Sequence, residues 1–328
     1  MCWHSHWRTS MNIIDIATLI NPQLTALSTL QQHYQWGERN QKIFSRFHKL
    51  ESACLFPDLA LSWMLSECLA RLLARHPEKR QQITHVAYAH SLHSTYPFDA
   101  DVLRTVVAEH LPASVEVLSV TQNSCASSFA GLALLQRILP AADASAGFAV
   151  LLTGDKCFHQ TVQYVDQNGV FGEGCSAVLV SRAADAGGSV IEGMGWAMIG
   201  GLGSRTVITD RQVENRYDHD FMPTMMSAIE RAMAAARISA PMIETVLPYH
   251  MSPSTFDRIA DRLGLDRNCV MRDNLYRLGH CFCGDAFINL HDVMHNPAAV
   301  KPQGRMLAVA AGVAGTFSAM VLRRQEAA

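Results

Sequence analysis

The chain has 328 residues, 49% of them hydrophobic and 17% charged, with 27 Lys and Arg against 29 Asp and Glu and a formal net charge of −2. That length can bury a large core, either as one big domain or as two similar halves. The balance offers no basic stripe for nucleic acid and no Lys/Arg-rich amphipathic helix for a membrane surface, and no run of about 18 apolar residues could span a bilayer.

Residues 1–10 lack the apolar centre of a signal peptide and are expected to be a disordered extension ahead of the regular stretch that Met11 opens. Nine cysteines, an odd number scattered through the chain, fit the reduced thiols of a cytoplasm better than a disulfide framework. Cys281 and Cys283 stand two apart, but no second Cys/His pair has zinc-site spacing, so no metal or resident cofactor is expected.

Asp58 to Arg75 has a helical pattern, and Ile83 to Ala89 reads as a buried strand. Phe98 to His110 is helical, Val115 to Val120 strand-like, Ala126 to Leu139 helical, and Gly147 to Thr153 and Ser176 to Ser181 are buried strands. The alternation argues for an α/β fold with helices covering a sheet. Arg182 to Gly188 is polar and small, and it divides a half at 11–183 from a second at 189–328. The second half repeats the scheme. Val190 to Met198 is a strand, Phe221 to Arg237 a helix, Thr245 to Pro248 a short strand, Pro253 to Leu263 a helix, and Asp285 to His291 the start of another. Met306 to Ala311 and Ser318 to Leu322 close the chain as paired strands around Gly312-Val313-Ala314-Gly315-Thr316.

The most informative residue is Cys125, which stands between the strand ending at Val120 and the helix opening at Ala126. A thiol at a helix N-terminus meets exposed backbone N–H groups and the positive end of the helix dipole, which favour the thiolate. Such a thiolate can attack an acyl carbon, and the same N–H groups can hold the resulting oxyanion. The local pattern fits a buried structural cysteine equally well.

Three further landmarks follow Cys125 in order: Val170-Phe171-Gly172-Glu173-Gly174-Cys175-Ser176-Ala177-Val178-Leu179, Asn274-Leu275-Tyr276-Arg277-Leu278-Gly279-His280, and Ala310 to Ser318. Together they resemble the thiolase-fold enzymes close to ketoacyl-ACP synthase III, over about residues 11–325. The second landmark is similar to that family's FGDGAGAV turn and the last to its closing glycine-rich loop, where Gly315 would touch substrate. The resemblance implies a layered α/β/α/β/α sandwich of two related halves, a homodimer, and acyl-CoA or an acyl carrier protein as the acyl source.

The family uses a Cys–His–Asn set for decarboxylative condensation, and this chain departs from it twice. In Val246-Leu247-Pro248-Tyr249-His250, an ungapped count puts Tyr249 in the histidine slot, and a one-residue shift restores His250. His250 could equally be a polar contact lining the substrate pocket. The family asparagine is replaced by His280, with Asp285 five residues on. This GHxxxxD pattern resembles an offshoot whose members move acyl groups onto hydroxyls, amines or carrier proteins in secondary metabolism.

Histidine can take a proton near neutral pH, and a carboxylate on its ring fixes the tautomer. Cys125, His280 and Asp285 would then be nucleophile, base and orienting acid for acyl transfer to a small-molecule acceptor. As a plainer alternative, His280 is a core or capping histidine and Asp285 a helix N-terminal acid. Two other functions stay open: a condensing enzyme using Cys125, His250 and His280, and a non-catalytic partner subunit, against which the intact cysteine argues. Cys281 and Cys283 read as packing residues, and His159 as a surface residue or a pocket residue. Trp36 to Arg39 loosely resembles a family CoA contact, and Lys42 to Lys49 reads as a solvated helix face or a carrier-protein contact. Methionines 194, 198, 222, 225 and 226 fall where the family places its acyl cavity, although such a stripe also suits a core.

Overall fold

The structure is a computed structural model describing residues 11–92, 102–140, 147–159, 162–183, 187–200, 211–296, 300–313 and 315–325. The expected extension at 1–10 and residues 184–186 of the dividing stretch lie outside that set. Nine strands build the main sheet among the described residues: β1 (Met11–Leu19), β2 (Ile83–Ala89), β3 (Glu116–Val120), β4 (Phe148–Thr153), β5 (Cys175–Ser181), β6 (Ser189–Met198), β7 (Ile243–Leu247), β8 (Arg305–Gly312) and β9 (Thr316–Arg324). Their spatial order is β7-β8-β9-β6-β1-β5-β4-β2-β3. β2 runs parallel to both β3 and β4, and β7 parallel to β8, while the other neighbours are antiparallel. The two groups of strands join through a short pairing of β1 with β6, Met11 opposite Ile191 to Ile13 opposite Ser189.

Six longer helices cover these strands: α1 (Leu61–Arg75), α2 (Val102–His110), α3 (Ser127–Ile138), α4 (Arg211–Ala236), α5 (Pro253–Leu263) and α6 (Asp285–His295). The apolar stripe of α1, from Leu61 through Met64, Leu65, Cys68, Leu69 and Leu72, packs with α2 on Val86, Val150 and Leu179. On the far side, Met225, Ile229 and Ala232 of α4 and Phe256 and Ile259 of α5 pack on Val246, Leu307 and Phe317. Between the two strand groups lie Phe129, Leu132 and Leu135 of α3 and Phe287, Leu290 and Val293 of α6, in one core with Ala87 and Leu151 on one side and Ala308 and Met320 on the other. The five layers expected from the resemblance are therefore present, and the central helical layer carries both ends of the candidate site. No helix among the described residues is long and apolar enough to cross a membrane.

α4 begins ten residues earlier than the apolar pattern predicts, at Arg211, and passes through Pro223. Proline removes one helical donor and crowds the preceding turn, a local signal that here yields to packing of the same helix along β6 and β9. The helix expected from Phe98 is described only from Val102.

Candidate active site

Cys125 sits where β3 hands over to α3, in a single 3₁₀ turn, Ser124–Ala126. Ser124 holds φ at 49°, a left-handed conformation that costs a non-glycine residue roughly 1–3 kcal/mol and persists where the surroundings enforce it. The turn is held by Ser124 N–H donating to Thr121 O at 3.1 Å and Ala126 N–H to Asn123 O at 3.1 Å. Gly312 of β8 backs it so closely that a Cβ there would come 2.4 Å from Asn123 O. The elbow is thus fixed by strands from the other half of the chain, and Cys125 is 5% exposed.

His280 is placed by backbone. Its N–H donates to Val170 O at 2.8 Å, and its carbonyl accepts Gly172 N–H at 2.9 Å. The second and third landmarks therefore form one bridge. Position 172 must be glycine for it, since a Cβ would lie 2.2 Å from Leu278 O. Asp285 opens α6 five residues on. Its Oδ1 accepts Cys281 N–H at 2.7 Å and its Oδ2 accepts His250 N–H at 2.6 Å.

His280 Nδ1–H donates to Asp285 Oδ2 at 2.5 Å, and His280 Nε2 stands 3.1 Å from Cys125 Sγ. Burial works against charge on the imidazole, but the Asp285 carboxylate and the Cys125 sulfur outweigh it and hold His280 well above the ordinary histidine range. Burial likewise opposes ionisation of Asp285, and the two histidines beside it, His250 and His280, pull its carboxyl well below the usual range. The resting arrangement is an imidazolium between a carboxylate and a sulfur, as a cysteine nucleophile with an oriented base requires.

Residues 233–324 match the family model described as 3-oxoacyl-[acyl-carrier-protein (ACP)] synthase III C terminal. The whole chain is similar to solved structures. One is ChlB3, titled an acyltransferase, with a TM-score of 0.81 and 15% identity, covering 96% of this chain and 98% of that one. The fold is that of the ketoacyl-ACP synthase III-like enzymes. A second is 3-oxoacyl-[acyl-carrier-protein] synthase III from Aquifex aeolicus VF5, with a TM-score of 0.77 and 16% identity over 95% of this chain and 99% of that one. A third is Xanthomonas campestris OleA with bound lauric acid and lauroyl-CoA, with a TM-score of 0.78 and 13% identity over 96% of this chain and 99% of that one. No curated protein matches the sequence.

Within this synthase III-like fold, the two candidates for the histidine slot take different places, with His250 behind Asp285 and the Tyr249 ring edge-on to His280 at 6.2 Å. His250 Nδ1 lies 3.0 Å from Gly279 O and from Asp285 Oδ1, and its Nε2 lies 3.0 Å from Asn289 Oδ1. Both ring nitrogens are engaged behind Asp285, so His250, expected to touch substrate, instead buttresses the carboxylate. Tyr249 is buried against Phe256. Gly315, also expected at substrate, donates its N–H to Gly312 O at 2.9 Å and accepts Ile199 N–H at 2.9 Å, which closes the β8–β9 turn. His250, Cys281 and Asp285 are the group of possible metal ligands whose donor atoms lie within 4.8 Å of one another among the described residues. The hydrogen bonds above commit Asp285 and His250 to holding His280, and burial pushes the Cys281 thiol well up.

The apolar wall around the sulfur is not the methionine group. Phe171 and Phe282 stack at 4.6 Å beside Cys125, with Leu55, Leu92, Val162, Val165 and Met251 next to them. Met194 packs in the central core and Met222, Met225 and Met226 in the outer one, while Met198 is 64% exposed. Trp36 is buried between Phe44 and Tyr164. His159 is exposed, as are Arg46 and Lys49 of the basic run.

Sequence reasoning missed the support of the second landmark. Glu173 Oε2 pairs with Lys156 Nζ at 2.8 Å and accepts Phe56 N–H at 2.7 Å, while its Oε1 accepts Cys157 N–H at 2.8 Å. The only signal was a charged residue inside an otherwise small and apolar run. Glu173→Ala should destabilise the protein by about 3–5 kcal/mol, because it strands a buried ammonium and two amides. Urea unfolding should show the midpoint falling, with a smaller fall for Glu173→Gln. Also missed were Ser91 and Asp155, which lie just past the C-terminal ends of β2 and β4. Those strands form one parallel group with the cysteine strand, in the order β4-β2-β3, and the carboxyl ends of such strands are where sites gather.

Proposed function

We propose that the protein is an acyltransferase that loads an acyl group from CoA or an acyl carrier protein onto Cys125 and passes it to a hydroxyl, amine or thiol acceptor. The observation carrying this reading is the Asp285–His280–Cys125 chain at 2.5 and 3.1 Å. In loading, Cys125 Sγ attacks the donor thioester carbon, the donor C–S bond breaks, and His280 Nε2–H protonates the departing thiolate. In transfer, the neutral His280 takes the proton of the acceptor as it attacks. The acyl–Sγ bond then breaks, and the electron pair returns to sulfur while His280 is again the imidazolium. Asp285 keeps Nε2 directed at the reacting atoms in both steps. Phe171 and Phe282 exclude water and offer apolar surface to an acyl chain, in keeping with lauroyl-CoA in the OleA structure.

A second reading, a condensing enzyme that makes a β-keto product, draws on the family match at 233–324. A neutral amide suits that chemistry, but a histidine stands at 280, and the other histidine, His250, is engaged behind Asp285. Intact-mass measurement after incubation with acyl-CoAs should show one added acyl group, lost in Cys125→Ala. Absence of an adduct across acyl-CoAs and acyl carrier proteins would remove both readings. Release of CO₂ from malonyl-carrier protein, with a β-keto product, would favour the second.

A further inference from the structure

The sulfur has a second polar neighbour. Ser91 Oγ–H donates to Cys125 Sγ at 3.2 Å, beside the 3.1 Å contact from His280 Nε2. Ser91 follows the C-terminal end of β2 by two residues and is held there by a buried carboxyl. Asp155 Oδ2 accepts Ser91 N–H at 3.1 Å, and Asp155 Oδ1 accepts Leu92 N–H at 3.4 Å. Cys283 Sγ lies 3.5 Å from the same hydroxyl and also donates to Ser124 O at 3.4 Å. Burial pushes Cys283 well above the ordinary thiol range, so it stays protonated and does not compete as an anionic acceptor. Three parallel strands, β2, β3 and β4, thus deliver Ser91, Cys125 and Asp155 to one point.

We propose that Ser91 is a further catalytic residue, whose hydroxyl stabilises the Cys125 sulfur as a leaving group when the acyl chain departs. The proposal rests on the reading of Cys125 as acyl carrier. The physical argument is one of charge. A thioester sulfur is a poor acceptor, and a thiolate is a strong one, so the hydrogen bond from Ser91 strengthens as the acyl–Sγ bond breaks. In loading, sulfur is consumed rather than released as an anion, so the hydrogen bond from Ser91 weakens and gives no acceleration there. His280 is occupied with the acceptor's proton during transfer, which leaves Ser91 as the donor to sulfur at that moment. Removing the hydroxyl therefore slows transfer without slowing loading. Asp155 acts through Ser91 as a positioning residue.

The test separates the two steps with p-nitrophenyl hexanoate as acyl donor and hydroxylamine as acceptor. The burst of p-nitrophenolate reads loading, and the steady state reads transfer. For Ser91→Ala we expect a burst rate within about threefold of wild type and a steady-state rate lower by about tenfold, since a hydrogen bond to a charged group is worth at least one decade in rate. Acyl-Cys125 should accumulate by intact mass, and Ser91→Thr should restore turnover. An unchanged steady state in Ser91→Ala would overturn the proposal. So would a parallel fall of burst and steady state with a lowered melting temperature, which is the signature of a structural role. A wild-type protein with no burst and no adduct at Cys125 removes the acyl-carrier reading and this proposal with it. A wild-type burst with no Ser91 effect removes only this one.

Discussion

His280→Asn should lower acyl transfer to an alcohol or amine by about three to four orders of magnitude, the scale of a lost base acting in the transition state. The ring has two tasks that an amide cannot share. It carries a proton between leaving thiolate and incoming acceptor, and it provides the cation beside sulfur that burial alone would oppose. An amide can still donate to Asp285 and reach toward Cys125, so the fold should survive, and a melting curve near wild type would confirm that. The variant is informative because asparagine is the residue that the resemblance to ketoacyl-ACP synthase III implies at this position. If the protein condenses rather than transfers, CO₂ release from malonyl-carrier protein should persist or rise. Following acceptor consumption and CO₂ together decides between the outcomes, and transfer retained within tenfold would remove His280 from its role as base.

Much of this arrangement was legible in the chain, for identifiable reasons. Parallel strands buried on both faces read as continuous apolar runs, so Ile83–Ala89 matches its predicted span and Phe148–Thr153 differs by one residue. α5 also matches, because Pro253 marks its first turn and Gly264 its end. Cys125 could be named from the strand-to-helix turn around it, and His280 and Asp285 from the resemblance of their run to a family motif. What stayed hidden depends on contacts between distant segments. The count around Pro248 left Tyr249 and His250 as rivals for one slot. The structure draws His250 behind the carboxylate through Asp285 and Asn289 and sets the Tyr249 ring edge-on to His280. Ser91 looks like any polar residue after a strand, and its meaning appears only when β2 is known to lie beside β3. The methionines of α4 were placed in the same half as the acyl cavity. Amphipathic packing turns them into the outer core, and the wall beside sulfur comes from Phe171 and Phe282.

Asp285→Asn should be the most damaging single change in the site, in rate and in stability together. The carboxylate takes the N–H groups of His250 and Cys281, the Nδ1–H of His280, and the ring of His250. An amide in its place presents a donor to at least one of these donors. If that donor meets Nδ1 of His280, the ring must carry its hydrogen on Nε2 and can no longer act as base, a tautomer error that lowers turnover by about 10⁴-fold in a comparable triad. The loss of a buried, paired charge should also cost about 3–5 kcal/mol of stability. Its pH dependence has a definite sign. Asp285 is depressed below the ordinary 3.8, so its contribution is complete above that value and lost as pH falls through the folded-state value. His280 is raised above the ordinary 6.5, so its contribution is complete below that value and lost as pH rises through its folded-state value. The stability gap between wild type and Asp285→Asn should therefore be widest between about pH 4 and 6.5 and narrow on both sides. Urea midpoints taken from pH 3 to 9 would trace it. A flat gap across that range, or a variant as active as wild type, would mean that the carboxylate does not hold His280 against the sulfur in the working protein.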